Sequence, residues 1–176
     1  YVDVVKEQLP DLPEGNILAE PAMRNTAPCI AYACWKIRQN DPYANVVVTP
    51  ADALVLDVEE FRKVIGHALD FAASGQRIVT VGIKPTRPET GYGYIAAGEA
   101  VADTILMKVD SFREKPVLEV AQEYLQAGNY LWNAGIFVWN IDTITDSLRV
   151  FVPDLAAKMD RMSEAFGTPC ETDVVE

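Results

Sequence analysis

The chain has 176 residues, of which 49% are hydrophobic and 23% charged, and its formal net charge at pH 7 is −11. This length and composition suit one globular domain with a hydrophobic core. The acidic balance excludes the basic surface that nucleic-acid backbone binding requires, and no apolar run in the sequence is long enough to span a membrane. An anionic ligand such as a nucleotide stays open, because a local pocket can be positive on an acidic protein.

The cysteines and the single histidine exclude several reaction types. The three cysteines include no CxxC pair, so neither a disulfide framework nor a zinc site is indicated. We expect buried, reduced thiols in a cytoplasmic protein, since no secretory segment opens the chain. His67 lies in the middle of a predicted amphipathic helix, which argues against a Ser-His-Asp or Cys-His mechanism. Acid–base chemistry would fall to carboxylates or lysines, or be avoided.

The first half of the chain alternates strands with helices. Its predicted elements are a strand at 16–21, a helix from Ala27 behind the cap candidates Asn25 and Thr26, a strand at 45–50, a helix opened by Asp57 with Glu60 and closed by Gly75, and a strand at 77–83. Alternation of this kind predicts a parallel sheet with helices on both faces, in three layers. In such sheets ligands lie outside the carboxyl ends of the strands.

The second half of the chain is less regular. It contains predicted strands at 92–98, 103–116 and 129–140, a helix at 116–127 ended by Gly128, and two final amphipathic helices. The sequence has no internal repeat or linker, so we predict a single Rossmann-like α/β domain over residues 1–176. Its sheet should be mostly parallel with some antiparallel strands.

The segment that follows the first predicted strand, EPAMRNTAP, has the groups to bind a nucleotide. Glu20, Arg24 and Asn25 precede a helix N-terminus, whose free N–H groups favour an anion. One carboxylate can also accept from the adjacent N1–H and N2 donors of guanine, which adenine lacks. The alternative is a capped helix with a solvated Glu20–Arg24 ion pair.

Asp52 lies in the turn that follows the next buried strand, within TPADA. A carboxylate at this place could hold a hard divalent cation, normally magnesium bridging phosphate oxygens. The alternative is an Asx turn, because aspartate is common after strands.

Three further segments could bind a sugar phosphate. In GIKPTRPETGYGYIAAG the prolines stiffen the backbone, and Gly91 and Gly93 let it approach a small ligand. Glu114 and Lys115 could contact sugar hydroxyls and a phosphate, although they diverge if the strand is regular, and a surface charge pair is the alternative. Asn133 is an amide within an apolar strand and needs partners, which could be backbone groups or a ligand. We expect Trp132 and Trp139 to belong to the core.

Taken in order, the segments EPAMRNTAP, TPAD, PETGYGYI, EKP and WNAGIFVW resemble the mannose-1-phosphate guanylyltransferases. This family belongs to the sugar-nucleotide pyrophosphorylases, and the resemblance covers 17–139. It implies transfer from GTP to mannose 1-phosphate, giving GDP-mannose and pyrophosphate with Mg²⁺, and a nucleotidyltransferase (GT-A-like) fold. The implied contacts are guanine and ribose for Glu20, Arg24, Asn25 and Thr26; Mg²⁺ for Asp52; the sugar for Gly91, Tyr92, Gly93, Glu114 and Asn133; and the sugar phosphate for Lys115.

The sequence departs from the family pattern in three places. Ala53 stands where the family usually has histidine, a second metal-binding aspartate has no convincing match, and the glycine-rich signature that holds the triphosphate is not found within residues 1–176. We therefore expect a truncated nucleotidyltransferase domain, part of a longer chain, whose isolated form lacks appreciable turnover. Measured GDP-mannose formation by these 176 residues alone would contradict this.

Two other functions stay open at this point. One is a related nucleotidyltransferase for a different sugar or base. The other is a non-catalytic regulatory domain that senses GDP-mannose on the same fold. A homodimer is also possible, because Met and Trp side chains in the C-terminal half would suit a dimer surface.

Overall fold

A computed structural model describes residues 1–20, 22–171 and 173. The elements in chain order are α1 (Val2–Gln8), a 3₁₀ turn (Glu14–Asn16), α2 (Thr26–Asn40), β1 (Asn45–Val48), α3 (Val58–Ala73), β2 (Ile78–Ile83), β3 (Tyr94–Ala100), β4 (Met107–Arg113), α4 (Leu118–Ala127), β5 (Tyr130–Asn140), α5 (Ile141–Phe151) and α6 (Pro153–Ser163). No helix in the described ranges combines the length and apolarity that crossing a membrane needs.

Packing divides the chain into two compact units. One consists of Tyr1–Ala44 with Ile141–Glu176, and the other of Asn45–Asn140. The first unit is helical and the second contains the whole sheet. This division describes packing, so the single domain over residues 1–176 stays a prediction.

Most predicted elements form, with one exception near the N-terminus. Residues 16–20 make no strand, and Pro21, the last residue of the predicted strand, lies outside the described residues. A strand needs a neighbour for its backbone groups, and every strand of the described sheet comes from the segment after Ala44. Apolar character alone therefore predicted this strand wrongly.

All strand pairs among the described residues are antiparallel, so the predicted mostly parallel sheet is wrong for this part of the chain. β1 and β2 do run in the same direction with α3 between them in sequence, because both pair antiparallel with β5. β5 comes later in the chain and is inserted between these two strands. It takes the hydrogen bonds that a parallel β1–β2 pair would have formed.

The register of β5 leaves a gap along one of its edges. β1 and β2 both pair with residues 137–139, so they lie on opposite edges, and β2 and β3 are opposed in the same way at Trp132. β1 ends where Val48 pairs with Phe137, and β3 begins where Tyr94 pairs with Trp132. Along this edge of β5, the end of β1 and the start of β3 therefore lie on either side of residues 133–136, and this interval is the gap.

Two helices cover the sheet of this unit. α3 begins at the predicted N-cap, where the Asp57 carboxylate accepts from the Glu60 N–H at 3.0 Å, a bond that satisfies one of the free donors at a helix start. Its buried Ala68 and Ala72 pack on the β2 and β5 core. α4 buries Ala121 against Tyr94 and Trp132. These contacts fix the two ends of β5 on either side of its gap.

In the helical unit, a group of polar side chains links α2, α5 and α6. The Asp160 carboxylate accepts from the Trp35 indole N–H at 2.9 Å and from Arg149 at 2.9 Å. The Arg149 hydrogen bond, with the Trp35 bond adding to it, holds the pKa of Asp160 below its ordinary value. Trp35 is buried, so without Asp160 its N–H would lose a partner that it needs.

We expect Asp160→Ala to lower the free energy of unfolding by about 1 kcal/mol. A buried hydrogen bond to a charged group contributes more than this, but solvent weakens the Asp160 contacts because they are partly exposed. Because the folded pKa is depressed, the contribution of Asp160 is present above the unfolded pKa and disappears as pH falls through the folded pKa. Urea unfolding of both proteins at pH 7 and pH 3 checks this: their difference should shrink at low pH. An equal difference at both values would contradict it.

Candidate functional site

Asp52 and Asn133 are brought to the gap in β5 by a left-handed residue. Gly135 has φ +70° and distorts the strand there, a conformation that favours glycine. A Cβ on Gly135 would lie 3.1 Å from Pro50 Cγ, so the turn after β1 packs directly on this bulge. Asp52 is two residues beyond Pro50, and Asn133 is two residues before Gly135. The bulge therefore packs the turn that carries Asp52 against the stretch of β5 that carries Asn133.

In the described part of the chain, the Asn133 side-chain oxygen has hydrogen-bond partners and the side-chain nitrogen has none. Its Oδ1 accepts from the Gly135 N–H at 3.1 Å and lies 3.3 Å from the Thr80 hydroxyl. For its Nδ2 the described part of the chain offers no hydrogen-bond partner. The Asn133 main-chain N–H donates to the Gly93 carbonyl at 2.8 Å. Asn133 therefore ties β5 to the glycine loop, while its Nδ2 has no hydrogen-bond partner among the described residues.

The loop before β3 is held by hydrogen bonds of its own. The Tyr94 hydroxyl lies 2.9 Å from both the N–H and the carbonyl of Glu89. The Glu89 carboxylate accepts from the Gly91 N–H at 3.0 Å and pairs with Arg87 at 3.0 Å. These two bonds, that of Gly91 first, lower the pKa of Glu89. The rigidity that the prolines predicted is thus completed by Glu89 and a buried tyrosine.

Gly93 allows a carboxylate to approach the backbone. A Cβ on Gly93 would lie 3.0 Å from Glu114 Oε2 and 3.2 Å from the ring of Phe112. Gly93 is itself buried, whereas the Glu114 side chain is 63% exposed. The carboxylate therefore lies over the main chain of the glycine loop, with its outer side exposed to solvent.

Lys115 shares the side of Glu114, which a regular strand would not allow. β4 ends at Arg113, and Lys115 has φ +40° although it precedes Pro116. That backbone is strained for a lysine, and such strain persists only where the surroundings impose it. Its ammonium lies 3.5 Å from Glu114 Oε1, and both side chains are 63% exposed. The structure thus brings a carboxylate and an ammonium group together on one side of the chain.

Trp132 forms an aromatic wall beside this group. It is 8% exposed, as expected for the core, and Trp139 is buried as well. Tyr92 meets the Trp132 ring edge-on at 5.4 Å, and the Arg87 guanidinium lies 5.3 Å from its centroid. Tyr92 itself is 45% exposed. The exposed ring of Tyr92 therefore packs on the buried ring of Trp132.

The residues predicted to contact the nucleotide lie in the helical unit. Asn25 is the N-cap of α2 and Thr26 is its first residue, but the Asn25 side chain makes no capping hydrogen bond. The Asn25 backbone, at φ +69° and ψ −176°, lies in a region that is occupied almost only by glycine. Arg24 is exposed. The alternative of a Glu20–Arg24 ion pair is not realised among the described residues.

Glu20 lies near the thiol of Cys29 instead. Burial raises the pKa of Cys29 in the first turn of α2, and a hydrogen bond to the Glu20 carboxylate raises it further. Cys34 is buried as expected, but Cys29 and Cys170 are exposed, so the prediction of three buried thiols is wrong for these two.

Asp52 remains the candidate metal ligand. It is exposed in the turn after β1. In the described part of the chain its carboxylate has neither an ion pair nor the backbone donor that an Asx turn would supply. No cluster of three or more His, Cys, Asp or Glu side chains able to hold a metal forms in residues 1–20, 22–171 and 173. A single free carboxylate fits Mg²⁺ that takes its other ligands from water and substrate phosphates.

Sequence reasoning missed three residues that build the site. Thr80, Arg87 and Tyr94 act through Asn133, Glu89 and the glycine loop. The tyrosine stood within the quoted motif, but its bonds to Glu89 depend on the path of the loop. Thr80 gave no signal at all, since one threonine in a β-branched strand is ordinary.

β1 and β2 run in the same direction on either side of β5, with a carboxylate after β1 and a glycine loop before β3. This arrangement fits an α/β nucleotidyltransferase. Residues 3–166 match the Nucleotidyl transferase family, and the chain belongs to that family. The predicted fold class is thereby confirmed, apart from the strand directions.

Among its relatives is the mannose-1-phosphate guanylyltransferase of Escherichia coli (strain K12), 40% identical over 159 residues, or 86% of this chain and 33% of the relative. The enzyme of the same name from Salmonella montevideo is 42% identical over 154 residues, 84% of this chain and 32% of the relative. A solved structure described as a mannose-1-phosphate geranyltransferase from Thermus thermophilus superposes with a TM-score of 0.79 at 26% identity, covering 99% of this chain and 56% of that one. The chain thus spans about a third of the length of the curated relatives, 33% and 32%.

Proposed function

We propose that the protein containing this chain transfers a guanylyl group from GTP to mannose 1-phosphate, giving GDP-mannose and pyrophosphate. An oxygen of the sugar phosphate attacks the α-phosphorus in line, a new P–O bond forms, and the bond from the α-phosphorus to the bridging oxygen breaks as pyrophosphate leaves. The observation that carries the proposal is the convergence of Gly93, Glu114 and Asn133 on the gap in β5. The names of the relatives support the substrates.

The sugar phosphate would be held by groups of the sheet unit. The Glu114 carboxylate accepts from sugar hydroxyls, and Asn133 Nδ2 donates to one. The backbone from Gly91 through Tyr92 to Gly93 forms the wall of the pocket. Lys115, 3.5 Å from Glu114, supplies positive charge for the phosphate. These residues bind and orient the nucleophile, which suits a reaction that depends on positioning more than on covalent catalysis.

The nucleotide would be held by the segment before α2. Glu20 accepts from the base, and the strained Asn25, with Arg24 and Thr26, offers donors to the ribose and phosphates. Asp52 would hold Mg²⁺, which would supply positive charge to neutralise the phosphates. The free cysteines support a reducing compartment, and we place the reaction in the cytoplasm.

Glu114→Ala tests the sugar-phosphate part of the proposal. We expect the Kd for mannose 1-phosphate to rise roughly tenfold to a hundredfold, because a charged acceptor of hydroxyl hydrogen bonds is worth about 1.5–3 kcal/mol. Calorimetric titration of the full-length protein measures it. Glu123→Ala removes the same charge from the exposed surface of α4 and serves as the control.

An unchanged Kd in Glu114→Ala would contradict the proposed role of that residue. The overall function is tested by the full-length protein itself, supplied with mannose 1-phosphate and each of the nucleoside triphosphates in turn. We expect GDP-mannose from GTP. Faster transfer with another base or sugar would favour a different member of the family, and binding of GDP-mannose without any transfer would favour a sensing domain.

A further inference from the structure

The hydroxyl of Thr80 in β2 reaches across to the bulge of β5. Its Oγ1 lies 3.3 Å from Asn133 Oδ1 and 3.2 Å from the carbonyl oxygen of Ile136. The β2–β5 register shifts at this point, between Thr80 and Gly82. A hydroxyl has one proton, so it donates to either oxygen in turn. Both acceptors belong to the distorted segment that carries Asn133.

The orientation of the Asn133 amide decides what it offers to a ligand. A carboxamide has an acceptor end and a donor end of almost the same shape, and only its neighbours determine which end points where. The Gly135 N–H at 3.1 Å and the Thr80 hydroxyl are both donors, so they favour the orientation in which the Asn133 oxygen, not its nitrogen, faces them. With the oxygen held there, the two N–H donors of Nδ2 face away from this pair of donors.

We propose that Thr80 is a positioning residue for sugar binding: its hydroxyl holds the Asn133 amide in the orientation that presents Nδ2 to a hydroxyl of the bound hexose phosphate. This inference rests on the proposed function and adds a residue outside the sugar pocket to it. In Thr80→Val a methyl group replaces the donor. The amide then keeps only the Gly135 N–H, and the flipped orientation, which presents an acceptor instead of donors, becomes accessible.

A purely structural role for Thr80 would have different consequences. If the hydroxyl served only to satisfy the Ile136 carbonyl, its removal would lower stability and affect both substrates alike. A positioning role instead predicts a selective loss for the sugar phosphate that depends on the presence of Asn133. The two roles are therefore separated by the KM of each substrate and by a double-mutant cycle.

The experiment compares Thr80→Val, Thr80→Ser, Asn133→Ala and the double variant Thr80→Val/Asn133→Ala in the full-length protein. We expect Thr80→Val to raise the KM for mannose 1-phosphate roughly fivefold to twentyfold, the range for one lost orienting hydrogen bond. The KM for GTP should stay within about twofold. Thr80→Ser should restore the wild-type value, and Thr80→Val should have no further effect on KM in the Asn133→Ala background. An unchanged KM, or an equal effect with and without Asn133, would overturn the proposal.

The side-chain amide resonances of Asn133 in the ligand-free protein give a second readout that needs no turnover. We expect one sharp pair in wild type and Thr80→Ser, and a shifted or exchange-broadened pair in Thr80→Val. Unchanged resonances would overturn the orienting role. If wild type forms no GDP-mannose while these resonances still respond to Thr80→Val, the proposed function fails and the orienting role of Thr80 stands.

Discussion

Gly82→Ala is expected to lower the free energy of unfolding by roughly 1–3 kcal/mol, the usual cost of forcing extra atoms into a packed interior. A Cβ at this position would lie 2.6 Å from Leu131 Cδ1 and 2.8 Å from Leu131 Cβ. The terminal methyl can turn away, but the Cβ moves only if the backbone of β5 moves with it. The same stretch of β5 continues into Trp132 and Asn133, so we also expect weaker binding of mannose 1-phosphate.

Gly66→Ala is the matched control for this substitution. Gly66 lies within α3, and an added Cβ there meets nothing within 4 Å. Alanine is the better helix former by about 0.5–1 kcal/mol, so this variant should be more stable than wild type. Urea unfolding of the three proteins measures both effects. A Gly82→Ala protein as stable as wild type would show that β5 accommodates the methyl group, and would contradict the close packing of β2 on β5.

The sequence predicted the elements of the sheet unit well, because each carries its own local signal. The strand–helix–strand alternation from Asn45 to Ile83 placed β1, α3 and β2, and the Asp57 cap was recognised from Glu60 three residues later. The direction of pairing could not be predicted in the same way. It depends on the insertion of β5 between β1 and β2, a contact between segments far apart in the chain that no local pattern records.

The predicted site residues of the sheet unit lie together for reasons that only the fold supplies. The turn that carries Asp52 packs on β5 near Asn133 because Gly135 adopts a positive φ that lets Pro50 pack on the bulge. Lys115 turns toward Glu114 because of a backbone conformation that a residue before proline rarely adopts. Motifs could therefore name these residues through a resemblance, whereas their geometry follows from two unusual backbone positions.

The effect of Asp52→Asn on turnover should be the largest of all the substitutions considered. The substituted amide would keep the shape of the turn but lose the charge that holds a divalent cation. Since the Asp52 carboxylate has no ion pair or hydrogen bond in the described part of the chain, we expect folding to be unaffected. A bound metal contributes several kcal/mol to the stabilisation of phosphoryl charge, and each factor of ten in rate corresponds to about 1.36 kcal/mol. We therefore expect kcat to fall by roughly 100-fold or more.

Initial rates of GDP-mannose formation at increasing Mg²⁺ concentration test this in the full-length protein. Asp52→Asn should need far more Mg²⁺ to reach half of its maximal rate, while its Kd for mannose 1-phosphate, measured without metal, should match wild type because Glu114 and Asn133 are untouched. Asp70→Asn removes the same charge from the exposed surface of α3 and should change neither quantity. If Asp52→Asn retains the wild-type rate and Mg²⁺ dependence, the metal is held elsewhere, and Asp52 has no part in the proposed reaction.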